Sequence, residues 1–169
     1  MTTPWQLRVA FMLAFPVLVV AAACGSSGSS NTGTPTSPTP TTPSGSFVSA
    51  VIGGQPWTST VPVLATLTNG TLIVSASDTT PTTVGFGTQA PGPGTFTLGG
   101  NSLVTASLIT PAGRWMANGI NGMGSGSVTI SSLSSHAASG TFTFTLEPLP
   151  GSGTTGTQSL TNGKYSVTF

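Results

Sequence analysis

Acid–base or nucleophilic chemistry would have to be assembled from very few side chains in this sequence. It contains one cysteine (Cys24), one histidine (His136) and two carboxylates (Asp78 and Glu147), with Arg8, Arg114 and Lys164 as the cations. A Ser–His–Asp relay needs His136, a carboxylate and a serine within hydrogen-bond reach. Ser134 and Ser135 adjoin His136, but neighbours on a strand point to opposite faces, so that spacing predicts no triad. A glycosidase pair needs Asp78 and Glu147 to face each other at about 5–10 Å. Asp78 stands before Thr79-Thr80-Pro81, where turn capping explains it, and Glu147 precedes Pro148 at an expected strand end facing water. Residues 118–126 are glycine-rich but lack G-x-G-x-x-G and the P-loop lysine, so they predict a loop and no phosphate cradle. No metal-ligand spacing is present either. These residues imply no catalytic, cofactor or metal site, and a hydrolase using His136 stands behind a non-enzymatic role. Trp57 and Trp115, the latter beside Arg114, are the candidate ligand contacts, because indole faces stack on sugar rings. The competing expectation is that both tryptophans are core, since both lie beside alternating apolar runs.

Three segments must position these groups. Residues 1–23 read as a secretory signal: one cation at Arg8, an apolar run from Val9 to Val20, then Ala21-Ala22-Ala23. The run is shorter than the roughly 20 residues a membrane-spanning helix needs, and Pro16 interrupts it. The series Val20-Ala21-Ala22-Ala23-Cys24 resembles the bacterial lipoprotein signal, in which small residues precede an obligatory cysteine. That resemblance implies that Cys24 becomes the mature N-terminus, carries diacylglyceryl on sulfur and acyl on the amine, and makes the membrane a partner. Two or more chains, at ~0.8 kcal/mol per buried CH₂, suffice for stable anchoring. Gly25 in place of Asp further implies an outer-membrane destination where an envelope has two membranes. A lone cysteine leaves no internal disulfide framework.

Residues 24–45 form the lipidated cysteine and its tether. The stretch GSSGSSNTGTPTSPTPTTPSG has no apolar periodicity, so no core repays the entropy of ordering it. A coil of that length spans on the order of 25 Å, and its Thr/Pro part leans to extended polyproline II. Loss of 1–23 also removes Arg8, leaving Arg114 and Lys164 against Asp78 and Glu147, formally neutral. So sparse a charge cannot steer a polyanion such as nucleic acid, and the partner expected beyond the membrane is a protein or glycan.

Residues 46–169 predict a single all-β domain. Short β-branched and aromatic runs alternate with Gly, Pro and Asn punctuation, and no window repeats apolar residues at helical spacing. Asn69-Gly70 is the strongest hairpin signal, because a type I′ turn needs positive φ at both central residues. Phe142, Phe144 and Leu146 alternate with Thr141, Thr143 and Thr145, and Tyr165, Val167 and Phe169 share a face near the end. The pattern predicts an antiparallel sandwich or small barrel of eight to ten short strands. Tyr165-x-Val167-x-Phe169 is similar to the terminal strand of outer-membrane barrels, but the expected strands are shorter than the ~9–11 residues such barrels need. The segments FVSAVIGGQPWTS, NGTLIVSASD, GPGTFTLG, GSGSVTISSLSSHAASGTFTFTLEP and TNGKYSVTF resemble an uncharacterised family of bacterial secreted β domains. That resemblance implies fold and compartment and supplies no activity.

Overall fold

The computed structural model describes residues 45–100 and 102–169. The signal segment, Cys24 and nearly all of the tether lie outside the described residues. Eleven strands run in chain order: β1 (Phe47–Ile52), β2 (Gln55–Thr58), β3 (Leu64–Thr68), β4 (Thr71–Ser77), β5 (Thr83–Gln89), β6 (Gly94–Leu98), β7 (Thr105–Thr110), β8 (Gly113–Asn118), β9 (Ser125–Leu133), β10 (Ala137–Pro148) and β11 (Gln158–Thr168). The expected all-β antiparallel architecture is present, but there are eleven strands rather than eight to ten. Nor are all of them short, since β9, β10 and β11 have 9, 12 and 11 residues.

The strands form one antiparallel sheet that curls into a half-barrel, in the order β2-β1-β11-β10-β8-β7-β5-β4-β3. β10 makes the curl possible. Its Ala138–Thr145 stretch pairs with β9, and β9 in turn pairs with β6. Its last residues, Glu147 and Pro148, pair instead with Met116 and Trp115 of β8. The sheet therefore has two halves, β2-β1-β11-β10-β9-β6 and β3-β4-β5-β7-β8, whose inner faces meet.

Period-2 patterning decides what meets there. Phe142, Phe144 and Leu146 of β10, Tyr165 and Val167 of β11, and Val74, Val84, Phe86 and Leu108 from the second half are all buried, while Thr141, Thr143 and Thr145 are exposed. Phe86 joins the halves, its ring 5.0 Å from both Phe142 and Tyr165, with tilted geometry. Burial pushes the Tyr165 phenol well above its ordinary pKa.

The turns follow their residues in two places and depart in two. Asn69 and Gly70 both take positive φ, 51° and 73°, as a type I′ hairpin requires. Gly53 and Gly54 do the same at 54° and 91°, so Gly53-Gly54 alone turn the chain from β1 into β2. Gln55 and Pro56 already pair with Ile52 and Val51, and proline is tolerated because β2 lies at the sheet edge. Asn162-Gly163 reads as a turn but is a bulge inside β11. Phe142 pairs with Gly163 and Phe144 with Leu160, so Thr161 and Asn162 together oppose Thr143, with Asn162 at φ 51°. A Cβ on Gly163 would lie 2.5 Å from Cδ2 of Phe142, so the ring occupies the space over the glycine.

Candidate functional site

Trp57 and Trp115 lead to two different places. Trp57, on edge strand β2, pairs with buried Ala50 and packs half-buried against the core. Its indole N–H donates to Asp78 Oδ2 at 2.8 Å, linking β2 to the end of β4. Asp78 also accepts from Thr80 N and Thr82 N on Oδ1, both at 2.9 Å, and from Thr80 Oγ1 on Oδ2 at 2.8 Å. Desolvation pushes its carboxyl up, but the bonds from Thr82, Thr80 and Trp57 outweigh it and hold the group below its ordinary 3.8. Capping of the 78–82 turn, as the sequence implies, is its visible work.

Trp115 is buried, with 6% of its surface exposed, and its indole N–H donates to Gly156 O at 2.9 Å. The loop from Leu149 to Gly156 is stitched over β8 by Leu149 N to Arg114 O and Arg114 N to Thr154 Oγ1. Arg114 is exposed beside that loop. The structure thus does not bring the candidate ligand contacts Trp57, Arg114 and Trp115 together. Trp115 is a core residue whose only polar atom is already engaged, and Trp57 lines a separate concavity.

His136 is exposed in the β9–β10 turn, and its Nδ1 lies 2.7 Å from Ser135 Oγ. The alternation argument against such a contact fails because residues 134–136 are turn and not strand. Neither carboxylate joins the pair. Asp78 is engaged as above, and Glu147 accepts from Gly124 N at 3.1 Å. Glu147 is half-buried in the β8–β10 junction, where the sequence placed it facing water. Among the described residues, no three His, Cys, Asp or Glu side chains cluster as a metal would need.

A groove of about 790 Å³ lies on the outer face of the first half. Its floor arises from register. Thr58, Ser49, Lys164, Thr141, Thr129 and Thr95 stand opposite one another in one row across β2, β1, β11, β10, β9 and β6. Thr143, Ser127 and Thr97 form a second row. The groove takes in all of these but Thr95 and Thr97, together with Asn162 at the bulge and Pro56 and Trp57 at the edge. Its lining includes Lys164 and no carboxylate.

Residues 44–166 match the family described as a domain of unknown function, DUF6252. The chain belongs to that family. The DUF6252 match takes in β1 to β10 and most of β11, and so every residue of both rows. No curated protein matches the chain. No solved structure matches it either. Sequence reasoning missed the hydroxyl rows because alternation shows that Thr141 and Thr143 point outward but not which strands flank them. The TFTFT repeat was the one available signal.

Proposed function

We propose that the chain is a lipid-anchored, extracytoplasmic protein that displays its DUF6252 domain as a non-catalytic binding module. The observation that carries this reading is the placement of Cys24. The only thiol of the chain follows Ala21-Ala22-Ala23 at the end of an apolar run and precedes a Gly/Ser/Thr/Pro tether. Two acyl chains or more make such an anchor stable, and the tether spaces the domain from the bilayer. The binding role, as against catalysis, draws support from how the titratable side chains are used. Asp78 caps a turn, Glu147 holds Gly124 at a strand junction, and His136 meets only a neighbouring serine. Gly25 after the cysteine favours the outer membrane where there are two.

Metabolic labelling with an alkyne palmitate analogue tests the anchor. The wild-type chain is expected to take the label and fractionate with membranes, and Cys24→Ser to lose both. Label retained by Cys24→Ser would overturn the proposal.

A further inference from the structure

From the outer face of the first half we infer a binding site for an acidic polysaccharide, a polymer of sugars or polyols bearing carboxylate or phosphate groups. The inference deepens the binding-module reading and rests on it for the compartment in which such a polymer would be met.

Three features of the face agree. Adjacent strands lie about 4.8 Å apart, so the row Thr58–Ser49–Lys164–Thr141–Thr129–Thr95 offers one side chain per such step. That step is close to the length of one ring along an extended glycan, so a chain lying across the strands meets a new polar side chain at every sugar. The second row, Thr143–Ser127–Thr97, runs alongside about 6.7 Å away, within the width of a sugar. Hydroxyls are the matching chemistry, because each one both donates and accepts, as sugar hydroxyls do. Their flexibility of role is visible at Thr95 and Thr129, whose hydroxyls pair at 2.9 Å with either able to donate.

Charge then selects the class of polymer. Lys164 stands within the row between Ser49 and Thr141, is exposed, and is the only charged side chain lining the groove. One lysine gives no long-range steering of a polyanion, but a carboxylate or phosphate on a sugar already seated in the groove meets Lys164 at short range in a charge-assisted bond, where a neutral glycan offers only hydroxyl oxygens. Asp78 is hydrogen-bonded to Trp57 at the groove's edge. Its oxygens are turned to the 78–82 turn and the Trp57 indole, and it is not among the residues lining the groove. The concavity, which takes in Asn162 and Gly163 of the β11 bulge, gives the chain a track across β1, β11, β10 and β9. On the outer face of the second half, Ser75, Thr105 and Ser107 are interrupted by Ile73, Met116 and two glycines, and the cation there, Arg114, stands apart from them beside the 149–156 loop, in a separate concavity.

The test uses the full-length protein in detergent micelles, run on native gels that contain polygalacturonate, hyaluronate or a glycerol-phosphate polymer, with dextran as the uncharged control. Migration is expected to be retarded by at least one acidic polymer and not by dextran. Lys164→Gln and Thr141→Val are each expected to weaken that retardation at least tenfold in apparent affinity, while Arg114→Gln leaves it unchanged. Far-UV circular dichroism and melting temperature, the same for all variants, show that the sheet is intact. Absence of retardation by all three acidic polymers overturns the inference. So does retardation that survives Lys164→Gln, or that falls equally in Arg114→Gln. Dextran retarding as strongly as the acidic polymers would overturn the acidic assignment. Cys24→Ser is expected to keep the retardation, so failure of the anchor and failure of the groove are read separately.

Discussion

The two halves of the sheet share a core and differ on their outer faces. Inward, both contribute aromatic and β-branched side chains to one cluster, with Phe86 set against Phe142 and Tyr165. Outward, the first half presents rows of threonine and serine around Lys164. The second half presents Leu64 and Ile73 at 73% and 53% exposure, beside Gly85 and Gly87, with Arg114 exposed on β8 and the hydroxyls of Ser75, Thr105 and Ser107 set between them. There Ser75, Gly85, Ser107 and Met116 make a smooth strip with a shallow depression of about 380 Å³. Inner faces are constrained alike because packing tolerates little variation. Outer faces are free of that constraint, so a difference between them points to use rather than to folding.

The strongest way to break the comparison is through the shared core. Phe86→Ala, in the second half, and Phe142→Ala, in the first, should each cost about 3–5 kcal/mol. Both should give a single unfolding transition in urea, because each ring packs across the same seam. Two separated transitions would mean that the halves fold independently. Gly163→Ala comes next. Its new Cβ would meet the Phe142 ring and the Phe142 carbonyl oxygen, so a loss of about 1–3 kcal/mol is expected by chemical denaturation.

Asp78→Ala should cost about 1–2 kcal/mol, since it leaves the Trp57 indole and two backbone N–H groups without their acceptor. The sign of its pH dependence follows from a folded-state value below the ordinary 3.8. Stability from this group is complete well above that pH and drains away as pH falls through and below it. Thermal melts at pH 7 and pH 3 should therefore differ less for Asp78→Ala than for the wild type. Smallest of all are the outer-face changes. Thr143→Val, which loses the hydroxyl bond to Leu160 O at 3.2 Å, should cost no more than about 1 kcal/mol, and Ile73→Thr should shift stability by less than about 0.5 kcal/mol. If the halves differ in use, only Thr143→Val weakens retention by acidic polysaccharide. Equal loss from Ile73→Thr would erase the distinction.

Much of the fold was legible because alternation and turn chemistry are local. Phe142, Phe144 and Leu146 could be assigned inward from spacing alone, and Asn69-Gly70 could be assigned to a hairpin because few other pairs accept two positive φ values. Asn162-Gly163 has the same composition yet sits in mid-strand. There the competing influence is tertiary: β11 is held on one side by β1 and on the other by β10, and the Phe142 ring covers the glycine. Trp115 shows the same limit at the candidate site. Its neighbours in sequence signal a strand, but its burial depends on Gly156, 41 residues away, coming over to accept its N–H. The row around Lys164 draws its members from six strands, and no local pattern encodes that order.

The position of β1 also bears on mechanics. A pull on the segment before Phe47 enters the domain along β1, which is flanked by β2 and by β11 and pairs Phe47 with Ser166 near the chain's far end. A load directed along the strand would be borne by the β1–β11 hydrogen bonds together, in shear, instead of one at a time. The groove floor lies on those same strands and their neighbours. A force applied ahead of Phe47 and resisted at the groove would therefore be carried by the β1–β11 pair, on which Ser49 and Lys164 stand opposite each other.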